Sequence, residues 1–168
     1  MPLGNQIIAV YTSASSTPQA TLIVGRNQGP QGIAIDKYGN IWTASNSRID
    51  EYKPLPADAR GSITLASIKT IGGPRTHLKG IRGLVVDPKS GYIYASNYSS
   101  ILAFYPDDGG NVAPLIELTG VNHQFKYPYS VIMLTIDHEG RVVVCGGANA
   151  IFIFAPLATG KAGEGPSH

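Results

Sequence analysis

Two stretches gather basic and phenolic side chains able to do chemistry: PRTHLKGIR (74–82) and VNHQFKYPYS (121–130). Together they supply Arg75, His77, Lys79, Arg82, His123, Lys126, Tyr127 and Tyr129. Imidazole is the commonest metal ligand, so His77 and His123 would begin a metal site if the fold brought both loops to one point. A site also needs a third ligand. The next aspartates, Asp87 and Asp137, follow at unequal spacings of 10 and 14 residues, and the stretch RNQGPQ (26–31) has no histidine. Both histidines are therefore read as solvated loop residues, and no metal or cofactor is expected. Cations mixed with phenols suit recognition of a partner instead. Arg75, His77, Arg82, His123, Tyr127 and Tyr129 are the candidate ligand-binding residues.

No Ser-His-Asp order, phosphate-cradling glycine loop or HExxH occurs. The one cysteine, Cys145, lies in the apolar run VVVC and cannot form an internal disulfide. It is expected to be a buried, inert thiol. The 168 residues suffice for one domain, and charged residues make up only 14%, against disorder. A net charge of +2 is too small for a nucleic-acid surface. Neither a signal-peptide pattern nor an apolar run of membrane-helix length is present, and the chain reads as soluble, its compartment open.

The elements that position these loops are written as repeats. GIAIDKYGNIWTASN (32–46) returns as GLVVDPKSGYIYASN (83–97) and, more loosely, as MLTIDHEGRVVVCGG (133–147). NQIIAVYT, SRIDEYKP, SSILAFYP and NAIFIFAP form a second set, and TPQATLIVG, SITLASIKTIGG and NVAPLIELTG a third. A unit is thus about fifty residues with four short apolar segments. GIAID and GLVVD predict strands buried on both faces, and the aspartates head tight turns. In SRIDEY, Ile49 and Glu51 are expected on opposite faces. Pro54, Pro106 and Pro156 end the third strand, since proline cannot donate to a ladder.

Four antiparallel strands per unit predict an all-β fold, a β-propeller of four-stranded antiparallel blades. Thirteen strands are expected: 5–25 as the outer strands of a partial blade, 30–73 and 81–120 as blades, 131–157 as a partial blade, and 158–168 as a flexible tail. About three blades is half of a six-bladed ring. The chain is expected to be a segment of a longer propeller, with a homodimer closing the ring as the alternative.

The pattern P-x-G-I-A-I-D-x-x-G-N-I-W-x-A-S-N, at Pro30, Gly32–Asp36 and Gly39–Asn46, followed by R-I-x-x-Y-x-P at 48–54, resembles an NHL repeat. The resemblance covers residues 5–157 and implies a six-bladed propeller binding through the loops that enter the inner strands. FKYPYSVIML (125–134) is similar to a loop of the peptidyl-hydroxyglycine amidating lyases, where Pro-His-Ser carries a zinc ligand; here it reads Pro128-Tyr129-Ser130, and Tyr129 is expected to line the funnel. Lactonases of the gluconolactonase type line the axis with Glu, Asn and Asp, and Asn46 and Asn97 hold matching positions. As residues, these asparagines read as turn caps. The resemblance implies a non-catalytic binding or scaffold module for a protein, peptide or carbohydrate partner. The alternative is a piece of a metal-dependent lyase or lactonase. Some NHL propellers bind RNA, but 13 basic against 11 acidic residues argues against nucleic acid here. Such proteins are often secreted or periplasmic.

Overall fold

Each repeated hairpin closes on one aspartate. In a computed structural model, which describes residues 7–11, 17–24, 29–98, 100–119, 133–145 and 151–157, Asp36 Oδ1 accepts the amides of Tyr38 and Asn40, both at 2.9 Å. Its Oδ2 accepts the Asn40 side-chain amide at 2.8 Å and Trp42 Nε1 at 3.2 Å. Asp87 accepts the Lys89 amide and both the amide and the hydroxyl of Ser90. Asp137 accepts the amides of Glu139 and Arg141 and also Arg141 Nε at 2.6 Å. The carboxylate thereby satisfies amides that a tight turn removes from the ladder. Gly39, Gly91 and Gly140 hold φ of 82°, 80° and 83°, where a side chain would be strained. Pro54, Pro106 and Pro156 lie against these three glycines, tying each turn to the end of its third strand.

Fourteen strands are described: β1 (Ile7–Val10), β2 (Ala20–Val24), β3 (Gly32–Ile35), β4 (Ile41–Ser45), β5 (Arg48–Tyr52), β6 (Gly61–Leu65), β7 (Lys69–Gly72), β8 (Ile81–Val86), β9 (Ile93–Asn97), β10 (Ser100–Phe104), β11 (Ile116–Thr119), β12 (Met133–Ile136), β13 (Val142–Cys145) and β14 (Ile151–Phe154). They form four sheets, ordered β1-β2-β6, β3-β4-β5-β7, β8-β9-β10-β11 and β12-β13-β14. The two central sheets are wholly antiparallel, each of four strands. The architecture is all-β and propeller-like.

The segment 62–73, expected as one strand, is two. β7 completes its own sheet against β5, but β6 crosses back and pairs in parallel with β2, Ala20 opposite Gly61 through Val24 opposite Leu65. The next unit repeats this in miniature: Gly110 makes a parallel bridge with Ile71, its carbonyl accepting the Gly72 amide at 3.0 Å. In both places the linker between the third and fourth strands covers the outer edge of the preceding sheet. An uncovered edge would present unpaired amides and carbonyls.

The sheets stack through three apolar clusters. Leu22, Val24, Ile41 and Tyr52 join the first pair. Trp42, Ala44, Ile49, Ile71, Leu84, Ile93, Leu102 and Phe104 join the second. Tyr94, Ile101, Ala103, Val142 and Val144 join the third, with Phe152 and Phe154 packed against them. Along the inner side β3 lies against β8 and β8 against β12. A Cβ on Gly32 would fall 2.9 Å from both Cβ and the amide nitrogen of Leu84. Glycine is what lets β3 and β8 approach this closely.

Three expectations change here. The inner strands are not all buried on both faces. β8 is largely buried apart from Arg82, but Ile33 and Ile35 of β3 are 50% and 65% exposed, and no described inner strand of the first sheet stands beside them. Cys145 is exposed rather than buried. Side chains alternate along β13, so Val142 and Val144 point into the stack while Cys145 points away from it. Ile49 and Glu51 share one face, since their partners Ala44 and Trp42 both face the second cluster.

Partial burial pushes the Asp36 carboxyl up, but hydrogen bonds from the side chains of Asn40 and Trp42 and from the amides of Asn40 and Tyr38 outweigh it, leaving the group below its ordinary value. A depressed folded value stabilises above the unfolded value, and that stability is lost as pH falls through the folded one. Asp36→Asn is expected to cost about 1 kcal/mol at pH 7 and to flatten the acid limb of the stability curve. Urea unfolding between pH 2 and 7 measures both. Gly32→Ala is expected to destabilise by about 1–3 kcal/mol, because the new methyl meets backbone that cannot yield. An unchanged urea midpoint would refute the close-approach reading.

Candidate functional site

The loop 74–82 enters β8, the inner strand between the two others, and its own sequence decides what it shows to solvent. Pro74–Thr76 forms one 3-10 turn, the Thr76 amide reaching the Gly73 carbonyl at 3.1 Å. The Thr76 hydroxyl donates to the same carbonyl at 2.6 Å and accepts the Leu78 amide at 3.3 Å. His77 then adopts a left-handed conformation with φ 57°, unusual outside glycine. From there burial alternates. Thr76, Leu78, Gly80 and Ile81 are buried, while Arg75, His77, Lys79 and Arg82 are exposed. Leu78 and Ile81 belong to the core between the central sheets, so apolar anchors force the cations outward.

Asparagine amides hold this backbone. Asn97 Oδ1 accepts the Lys79 amide at 2.7 Å, and its Nδ2 donates to the His77 carbonyl at 3.1 Å and to Ser100 Oγ at 3.2 Å. Asn46, from the preceding sheet, takes the Gly80 amide on Oδ1 at 3.1 Å and on its carbonyl at 2.6 Å. Asn111 Oδ1 accepts the Arg75 amide at 2.8 Å. Read from the sequence as turn caps, Asn97 does meet Ser100 across its own turn, and both asparagines do more. They reach across to a loop 34 and 18 residues away.

Arg82 itself sits in a β-bulge. Val86, Val85 and Leu84 face Ile93, Tyr94 and Ala95 in regular order, and Ile81 faces Asn97, so Arg82 and Gly83 together oppose Ser96. The Ser96 hydroxyl accepts both amides, at 3.3 Å and 2.6 Å. A bulge re-aims the residue it adds, and here that residue is the exposed arginine. The same segment, Gly83–Leu84, is what Gly32 approaches.

His77 Nδ1 lies 2.9 Å from Glu117 Oε2, and the other oxygen of Glu117 is 3.3 Å from Ser100 Oγ. The imidazole is thus engaged by a carboxylate on β11. Among the described residues no three of His, Cys, Asp and Glu gather as metal ligands. Of the six candidate residues, Arg75, His77 and Arg82 are exposed together on this loop. His123, Tyr127 and Tyr129 lie outside the described residues, as does Lys126. Sequence reading missed Ser96, Asn111 and Glu117. Ser96 carried a signal, the repeated A-S-N; Asn111 and Glu117 carried none.

The turn ends of the central sheets bound a second cleft, of about 170 Å³, lined by Asp36, Tyr38, Trp42, Glu51, Asp87 and Pro106 among others. Of its carboxylates, Glu51 is paired with Lys69, and Asp36 and Asp87 accept the amides of their own turns. Lys69 Nζ lies 3.0 Å from Glu51, 2.6 Å from the Pro106 carbonyl it donates to, and 5.2 Å from the Trp42 ring centre.

No protein-family profile matches the chain, and no curated protein does. Solved structures do. A Lactobacillus plantarum protein aligns with TM-score 0.59 at 12% identity, over 89% of this chain and 48% of its own. Hsv2 of Kluyveromyces lactis aligns with TM-score 0.50 at 13% identity, over 77% of this chain and 33% of its own. A Xanthomonas campestris gluconolactonase reaches only 0.48 at 15% identity, over 74% and 37%, too low to carry an argument. The chain spans about half the length of the first. No described helix is long and apolar enough to cross a membrane.

Asn97→Ala is expected to destabilise by about 1–3 kcal/mol, since the Lys79 amide loses its acceptor. Amide exchange at Lys79 should accelerate while β4 and β9 keep their protection. Equal acceleration in those strands would mean global unfolding instead. At 12–13% identity, the first two likenesses support a propeller-like fold and leave activity open.

Proposed function

We propose that the chain is part of an NHL-type propeller that binds a partner through the loop 74–82 and catalyses no reaction there. One observation carries this reading: four basic side chains, Arg75, His77, Lys79 and Arg82, stand exposed on a backbone held by three asparagine amides and a serine-capped bulge. A loop already fixed gives up little freedom when a ligand docks. Guanidinium and ammonium groups on such a frame suit carboxylates, which places acidic peptides, protein segments or acidic carbohydrates first among partners. The NHL-type reading is supported by the thrice-used aspartate turn with its glycine and proline. A lactonase-type site would need Asn46 and Asn97 as axial ligands, and their amides are committed to the loop backbone.

Calorimetric titration with a poly-glutamate peptide tests the reading. Binding is expected for the native chain, weakening as salt rises. The triple variant Arg75→Glu, Lys79→Glu, Arg82→Glu should lose about tenfold or more in affinity, since tenfold is only about 1.4 kcal/mol. Equal affinity in native and variant chains would remove the loop from any binding role.

A further inference from the structure

Of the four basic residues on the loop 74–82, three carry a charge that is fixed near neutrality. The fourth, His77, is an imidazole, the side-chain type that takes up a proton between about pH 5 and 8. The acid that faces it is Glu117 of β11. His77 Nδ1 lies 2.9 Å from Glu117 Oε2, and Glu117 Oε1 lies 3.3 Å from Ser100 Oγ on β10. A carboxylate only accepts, so Nδ1 carries a hydrogen and a further proton goes to Nε2. From β9, Asn97 Nδ2 donates to the His77 carbonyl while its Oδ1 accepts the Lys79 amide. The phenol Tyr98, which follows β9, lies over Gly80. Arg75, Lys79 and Arg82 are the cations of the same loop.

The backbone holds the imidazole beside Glu117 against its own preference. His77 and Tyr98, with φ of 57° and 34°, are the two non-glycine residues of positive φ among those described. Such conformations persist only where surrounding contacts impose them, and they gather at functional sites. Both fall in this one cluster, where Asn97 grips the chain at His77 and at Lys79.

We infer that the His77–Glu117 pair makes binding of an acidic partner at this loop depend on pH, tighter when the imidazole is protonated. The inference rests on the binding reading above. With a neutral imidazole, Glu117 sets one negative charge among three cations and opposes an incoming carboxylate. With His77 protonated the pair is neutral as a unit, and Arg75, Lys79 and Arg82 act undiminished. Glu117 is thus an internal competitor that a single proton silences. The two side chains are 56% and 33% exposed, so solvent delivers the proton and the pair adds little to stability. Its effect falls on the partner.

Calorimetric titration of the full 168-residue chain with the poly-glutamate peptide at pH 6 and pH 8 tests this; glutamate side chains stay ionised over that range. Affinity is expected to be about threefold higher, or more, at pH 6. His77→Asn retains a residue type that tolerates the left-handed backbone. It should bind at both pH values as the native chain does at pH 8. Glu117→Gln should bind at pH 8 at least as tightly as the native chain does at pH 6. A merely structural role would weaken both variants alike. Equal native affinity at pH 6 and pH 8, with the triple charge-reversed variant still weakened, would overturn the switch and leave the binding reading standing. A pH dependence that survives in His77→Asn would overturn the switch by assigning the proton to another group. Binding absent at both pH values, or indifferent to the triple charge reversal, would overturn the binding reading and the switch together.

Discussion

Everything in this fold is arranged around how near two inner strands can come. β3 meets β8 where Gly32 faces Gly83 and Leu84, and no side chain larger than hydrogen fits at Gly32. Beside that contact the space between the sheets holds Trp42, Ile49, Ile71, Leu102 and Phe104. The bulge at Arg82–Gly83 lies at the same contact, so the feature that aims the arginine outward is also part of the feature that sets the spacing of the sheets. The exposed arginine and the spacing of the sheets thus depend on the same residues.

Short polar side chains do the remaining positioning, always by satisfying backbone amides. Asp36, Asp87 and Asp137 work within a few residues of themselves. Asn46, Asn97 and Asn111 use the same hydrogen-bonding chemistry over 34, 18 and 36 residues. Ser96 takes two amides at once where the ladder is interrupted. A buried amide left unpaired is costly, so a loop crossing between two sheets must recruit such acceptors. That requirement explains why the exposed basic row rests on firm backbone.

Local chemistry was legible from the residues and distant chemistry was not. The hairpins, their aspartate turns and the prolines ending third strands follow from neighbours in the chain, and all are present. The outward placement of Arg75, His77 and Arg82 followed from their polarity in a loop. The asparagine roles did not, because the same amide fits a local cap or a remote one and only the tertiary fold chooses. The division of 62–73 between two sheets depends on an edge contributed forty residues earlier, at β2. Cys145 misled for a related reason: an apolar run signals a strand, but which side of that strand is covered depends on what stands beyond it.

The linkers that cross back to the preceding sheet set a clock on biosynthesis. β2 gains its parallel neighbour only when Gly61–Leu65 has been made, and β7 gains its own only when Gly110 has. A chain emerging from the ribosome therefore holds each finished sheet with one side still open until the next unit is well under way. Each new unit thus covers the outer edge of the one before it.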